Sequence, residues 1–396
     1  MPNDKYPSEK EDKLALIVEN ANTRVQEIIN EAIMLGYTKI YAKSLVMELV
    51  DKTTKELEDN NASEYLIENA KLAILKAFMK EWLQVIVILE KERKKDELGV
   101  IGKLIERMQT NTPLEMTDRG ITIDVFNNDV GIAKAGIKNL RDYITGEGLG
   151  GTSRFVDYKT MLQNTLIEVK DKIAAGTLTL TDSLGRTKSI RNMAEIETRY
   201  KMINEDMTRQ GMGYGSYCVA SSHADASERC SFWQAKIYLV DLDVESRPFG
   251  EYKGGTPSQT ILGYIDGKPY YSLKQACENG FLSYNCQHRL IKYYKGIKPI
   301  EYPMVQVNKA RDLTIRQRQM ENTIRHWKRK ERLSDRVLKV NRTNPLTGQE
   351  EQFTEYEWNV LNSKLWQEKY RNFSRNNGLP IYEWRTRITE YESKWY

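Results

Sequence analysis

Little in this chain could staple it covalently or carry it through a membrane. Four cysteines and three histidines are scattered over 396 residues, which excludes the disulfide framework of a small secreted domain. The longest apolar run, WLQVIVIL (Trp82–Leu89), is too short to span a bilayer, and Lys80 and Glu81 stand directly before it. The opening residues MPNDKYPSEKEDK are polar and lack the apolar stretch of a secretory signal. Nor is there a large excess of one charge: 60 basic against 55 acidic side chains give a net +5, so any polyanion partner must be argued from where the charge sits. These absences predict a soluble protein made and kept in a cytosol-like compartment, with no membrane partner. With 40% hydrophobic and 29% charged residues, the chain can bury ordinary cores in two or three domains.

Apolar periodicity divides the chain. Leu14, Ile17, Val18, Ala21, Val25, Ile28, Ile29, Ala32 and Ile33 recur at helical steps, and Gly36 is placed to end the helix. Further helices are predicted over about 38–57 and 63–94, so residues 1–145 read as an N-terminal helical domain. TGEGLGG (Thr145–Gly151) has the letters of a dinucleotide loop, but IKNLRDYI before it looks helical and no βαβ pattern surrounds it. It reads as a Gly-rich hinge over 146–153. Residues 154–300 mix helices (about 158–175 and 190–210) with short strands: a hairpin around Leu184-Gly185, KIYLVDLD, and ILGYIDGKPYYSL with Asp266-Gly267 at its turn. Residues 301–396 return to helix. The predicted fold class is α+β, predominantly helical: a helical N-terminal domain, a small core domain with short antiparallel strands, and C-terminal helices.

The charge that matters is local. NKARDLTIRQRQMENTIRHWKRKER (Asn308–Arg332) forms a strongly basic helix on which Ile315, Gln319, Asn322, His326 and Arg329 share one face. Such a helix is either a solvated face or a surface for an acidic protein or a nucleic acid backbone, with Arg325, Lys328, Arg329 and Lys330 as the phosphate-contacting candidates. NRTNPLTGQ then reads as a loop. Trp358, Trp366, Trp384 and Trp395 gather in the C-terminal segment, to pack a helical subdomain or anchor a partner.

Scarce residue types cluster. YNCQHRL places Cys286 two residues before His288, and SSHADASERCSFWQAKIY holds His223 and Cys230. Two cysteines and two histidines suit a tetrahedral zinc ion, and two clusters more than fifty residues apart would clip a small region together, the work of a structural site. The spacing is not that of a zinc finger. Two other readings stand beside it: unrelated buried side chains, or a nucleophilic Cys286 with His223 as base and Asn285 or Asp225 as orienter. Glu195, Glu197 and Glu205 are spaced as ordinary surface charges, so no catalytic residue is nominated.

The ordered pair of motifs resembles the phage minor capsid protein 2 family, and more distantly the portal-linked minor head proteins of tailed phages. The resemblance rests on Ser221, Ser222 and His223; Trp233, Gln234 and Lys236; Gly280, Phe281 and Leu282; and Asn285, Cys286, His288 and Arg289. RNMAEIETRY upstream, with RQRQMENTIRHWKRK and KLWQEKYRNFSRNNGL downstream, extends it over roughly 154–379. Ala235 stands where the family has Gly. Cys230 stands near its second His, an exchange that keeps a zinc ligand but not a packing residue or general base, and so favours metal held by His223, Cys230, Cys286 and His288. The resemblance implies a virion component inside the phage head, made in the host cytoplasm. Its implied partners are the portal protein and other head proteins, its roles head morphogenesis and DNA packaging or ejection, with DNA contact through the basic helix. The rival is a toxin-like or nucleic-acid-modifying enzyme using His223 and Cys286. With all four ligands committed to the metal no position stays open for water, which favours structure over catalysis.

Overall fold

The computed structural model describes residues 12–35, 37–95, 99–109, 153–181, 187–243, 257–283, 286, 288–297, 301–302, 304–336 and 338–388. Its architecture is predominantly helical α+β. The Gly-rich hinge, the Leu184-Gly185 turn, Asn285, Trp395 and the part of the N-terminal region beyond residue 109 lie outside the described residues.

The chain opens with helices α1 (Lys13–Leu35), α2 (Lys39–Asp59), α3 (Glu64–Arg93) and α4 (Val100–Gln109). The starts of α2 and α3 are set by side-chain caps. Thr38 Oγ1 accepts from the Tyr41 N–H and Ser63 Oγ from the Leu66 N–H, each satisfying a donor that the first turn leaves orphaned. Next come α5 (Ser153–Ala175), the short antiparallel pair β1 (Thr179–Thr181) and β2 (Thr187–Ser189), and α6 (Ile190–Arg209). The sheet region holds β3 (Tyr217–Ala220), α7 (Glu228–Ser231), β4 (Ile237–Leu239), β5 (Ile261–Ile265), β6 (Lys268–Ser272), α8 (Leu273–Glu278) and β7 (Leu290–Lys292). Last come α9 (Met304–Leu333), the hairpin β8 (Lys339–Thr343) and β9 (Glu350–Thr354), α10 (Glu355–Asn376) and a 3-10 turn at Glu383–Thr386.

Two compact units result, both discontinuous in sequence. One comprises Met1–Asp12, Asn192–Glu321 and Tyr370–Trp384. It is built on a five-stranded sheet in the order β5-β6-β4-β3-β7. Strand pairs are antiparallel except β4 with β6, which run parallel. The short antiparallel strands expected make up the rest of the sheet, and the one parallel pair is possible because the stretch from Leu239 to Lys268 is long enough for the crossover it requires. Asp266 (φ 50°) and Gly267 (φ 74°) both turn left-handed between β5 and β6, as a two-residue hairpin demands. The core of this unit packs Trp233, Tyr238, Phe281 and Leu290 with Cys218, Cys230, Cys277 and Cys286.

The other unit comprises Lys13–Arg191, Asn322–Lys369 and Arg385–Tyr396. Its core comes from the apolar stripes of α1 and α3, with Leu16, Ile28, Ile29, Ile33, Phe78 and Trp82 fully buried. A polar knot sits inside it. Glu19 on α1 receives Arg329 Nη1 at 2.7 Å and Arg191 Nη1 at 3.3 Å, all buried. Burial pushes the Glu19 carboxyl up, but Arg329, Arg191 and Arg325 outweigh it and hold the group below the usual carboxylate range. Nearby, Asn22 and Gln26 donate to the Gly176 carbonyl at 3.3 and 2.9 Å. A Cβ at Gly176 would stand 1.9 Å from Glu81 Oε1, so a larger residue there would have to displace the Glu81 carboxyl.

The loop expected at NRTNPLTGQ is shorter than predicted, since Asn341–Thr343 belong to β8. The reversal is made by Asn344, whose side chain accepts from the Leu346 N–H, and by Gly348 at φ 73°. Among the described residues no helix is long and apolar enough to cross a membrane.

Candidate metal centre

Cys230 lies in α7, while Cys286 and His288 lie just before β7. The sheet brings these distant stretches together because β3, which leads to Ser221 and His223, pairs with β7. Two bonds lock the junction: the Ser221 N–H donates to the Arg289 carbonyl, and the Arg289 N–H donates to Ser221 Oγ, both at 2.8 Å. The Arg289 guanidinium then grips Asp206 on α6 through Nη2 at 2.9 Å.

Cys230, Cys286 and His288 are buried, and their donor atoms all lie within 4.8 Å of one another. Cys286 Sγ stands 3.3 Å from His288 Nδ1. Zn–S bonds of ~2.3 Å and Zn–N bonds of ~2.0 Å put tetrahedral ligand atoms roughly 3.5–3.8 Å apart. The trio therefore needs only a small readjustment to grip an ion, and two thiols with one imidazole form the soft donor set that zinc takes.

Gln234 sets the histidine's tautomer. The His223 backbone N–H donates to Gln234 Oε1 at 2.9 Å. A backbone N–H can only donate, so the atom facing it is the amide oxygen. The same oxygen lies 3.2 Å from His288 Nε2, which must therefore carry the proton. This leaves the Nδ1 lone pair aimed at Cys286, the arrangement in which an outer hydrogen bond orients a metal-binding imidazole. His223, the fourth residue of the predicted set, is placed differently. Its ring packs edge-on against His288 with centroids 4.6 Å apart, and its Nε2 lies 3.0 Å from Ser221 Oγ. The structure thus gathers the four predicted side chains in one place, three with converging donors and the fourth one ring away.

The nucleophile reading finds no activated thiol. Burial, reinforced by the hydrogen-bonded Cys230 thiol, holds the Cys286 thiol well above its ordinary range. A nucleophilic cysteine needs the opposite shift. The imidazole hydrogen-bonded to Cys286 is His288 rather than His223, and Asp225 accepts from Thr314 Oγ1 at 2.8 Å. Ala235, where the resemblance led to the expectation of Gly, carries a left-handed backbone, φ 60°, a conformation that glycine adopts at less cost.

The four cations proposed for phosphate contact are placed unequally. Arg329 is buried, bonded to Glu19 and to the Ala174 carbonyl (2.9 Å). Lys330 pairs with Asp171 at 2.6 Å and lies over the Trp327 ring. Arg325 donates to the Arg385 carbonyl and to Asn322. Lys328 is half-buried. The exposed cations of the same helix are Lys309, Arg311 and Arg316, with Arg332 held by Glu27 at 2.8 Å. Of the tryptophans, Trp384 is buried and Trp358 packs on Phe353.

Fold and site together define a class: a helix-rich protein with a small sheet domain, in which a Cys/His cluster is part of the hydrophobic core. The model of the family phage minor capsid protein 2 matches residues 144–373, more than half of the chain, and the chain belongs to that family. It is a structural phage protein, a virion component that associates with other head proteins. No curated protein and no solved structure matches it.

Proposed function

We propose that this chain is a non-enzymatic component of the phage head, held near the portal in the head interior, acting in head morphogenesis and in DNA packaging or ejection. The observation that carries the reading is the family match, which reaches into both compact units. On this reading Cys230, Cys286 and His288, with His223 completing the shell, hold one structural zinc that clips the region before α7 to the region before β7. Bound metal would supply folding free energy, and its thiol ligands would be deprotonated. Quantitative mass spectrometry of purified DNA-filled heads tests the assignment. The chain should co-purify at a constant ratio to the portal protein. Recovery only from the soluble fraction of infected cells would sink it.

DNA contact is a second element of the proposal. It is non-specific and made through the exposed Lys309, Arg311 and Arg316, because Arg325, Arg329 and Lys330 serve partners within their own unit. Each phosphate contact contributes about 0.9 to the slope of log affinity against log salt. Changing Lys309, Arg311 and Arg316 to Gln should therefore flatten the slope by roughly 3, read by fluorescence anisotropy on a short duplex. An unchanged slope assigns the helix to protein contact. Arg329→Gln is the contrasting control: it leaves Glu19 buried with one partner fewer and should cost about 3–5 kcal/mol of stability.

A further inference from the structure

Helix α3 buries one face in its unit through Leu66, Ala70, Ile74, Phe78, Trp82 and Leu89. It is also apolar on the opposite side. Tyr65, Leu72, Met79, Leu83 and Val87 are between 37% and 68% exposed. At 3.6 residues per turn these five fall within about 80° of arc, and from Tyr65 to Val87 they extend for about 33 Å. Asn69 and Lys76 share the arc, so the line is interrupted in its first half and unbroken through Met79, Leu83 and Val87. Single exposed apolar residues are ordinary, whereas several large ones along one helix face mark a contact surface.

The stripe's borders say what covers it. Lys80 and Lys91 follow one border, and Lys76 and Lys94 stand inside the arc on that side, all exposed and with no ion pair among the described residues. Acidic groups follow the other, but Glu68 is held by Lys71 at 2.7 Å and Glu90 by Arg93 at 3.5 Å, each from its own helix. The unmatched charge beside the apolar line is therefore positive.

We propose that α3 docks an amphipathic helix of another head protein, whose apolar face covers Leu72, Met79, Leu83 and Val87 and whose acidic flank meets the four lysines. Such a partner matches the stripe in shape, since helix pairs read each other at three- and four-residue steps. It matches the border in charge as well. A second copy of this chain does not. Antiparallel copies would face like borders, and parallel copies would offer acids already held by Lys71 and Arg93. Nucleic acid would satisfy the lysines and leave the apolar line exposed to water. The inference rests on the head-protein reading above and adds the surface and the chemistry of the partner.

The test uses the full chain in assembling heads, with a benzophenone photo-crosslinking residue at Leu83. Mass analysis after irradiation should find an adduct to a peptide of a different head protein that has helical apolar spacing and flanking Asp or Glu. In parallel, a Leu83→Glu, Val87→Glu chain should keep its melting temperature, because both side chains are exposed, yet enter particles at least ten-fold less. An adduct to a second copy, to another segment of the same chain or to DNA would overturn the proposal. So would particles that incorporate the double variant normally, or irradiated heads that contain the chain without any adduct. Absence of the unmodified chain from heads is a different failure: it removes the head-protein reading, and the docking proposal with it.

Discussion

A Cys286→Ser chain should lose its metal, melt on the order of 10 °C below the parent and become indifferent to chelator. The serine hydroxyl is a poor zinc ligand, and the site lies in the core beside Trp233, Tyr238 and Phe281. Because zinc binding at a structural site is coupled to folding, a missing ligand should cost several kcal/mol, on the order of 10 °C in a unit of this size. The parent treated with chelator should fall to nearly the same melting temperature, which separates loss of metal from loss of packing. An enzyme would answer differently. Were Cys286 a nucleophile, the serine chain would fold, enter particles and fail only in a later chemical step, and that outcome would overturn the structural reading.

The helical unit should respond to pH through Glu81. Its carboxyl is buried, Oε2 has no hydrogen-bond partner, and burial raises its pKa to about 8, against the opposing pull of Lys80 and Arg329. The unfolded chain releases this proton near the ordinary glutamate value of 4.5. Between about pH 4.5 and about pH 8 the unfolded state is ionised while the folded state stays protonated, so the contribution of Glu81 to stability falls as pH rises through that window and levels off above it. At about 1.4 kcal/mol per unit the full fall is of order 5 kcal/mol. Glu81→Gln removes the titration. Denaturant unfolding of the variant and the parent should show a difference in stability that grows steadily in the variant's favour from pH 5 to pH 8. A difference independent of pH would mean that the carboxyl is ionised in the folded protein. Glu19 works the other way: its lowered pKa supplies stability that is lost as pH falls through the folded value.

Much of the secondary structure is legible because its signals are local. Thr38 and Ser63 each cap the helix they precede, and the Asp266-Gly267 pair makes the turn its letters promise. The buried face of α9 was not legible. Of the face read from spacing only Arg329 is buried and Ile315 is 45% exposed, while the other buried positions include Val307, Gln317, Glu321, Ile324 and Leu333. Gln317 donates to Ser374 and to the Pro380 carbonyl, and Arg329 finds Glu19 across 310 residues. Buried polar contacts of such reach leave no periodicity to read. The candidate site divides in the same way. Scarcity of Cys and His brought Cys230, Cys286, His223 and His288 into view. Gln234 stood within the family motif, yet nothing in its spacing could show that one amide oxygen holds both the His223 backbone and the His288 ring. Charge in sequence also overstated the basic helix, because Arg329 and Lys330 read as free cations until Glu19 and Asp171 are placed beside them.

The central claim is that the Cys/His cluster is a metal clip in the core of a structural head protein. It is tested most directly by metal analysis and zinc-edge X-ray absorption on the full-length chain purified without chelator. The account predicts one zinc per chain, with two sulfurs at about 2.3 Å and two imidazole nitrogens at about 2.0 Å. A metal-free chain whose melting temperature is the same with and without added zinc would contradict it.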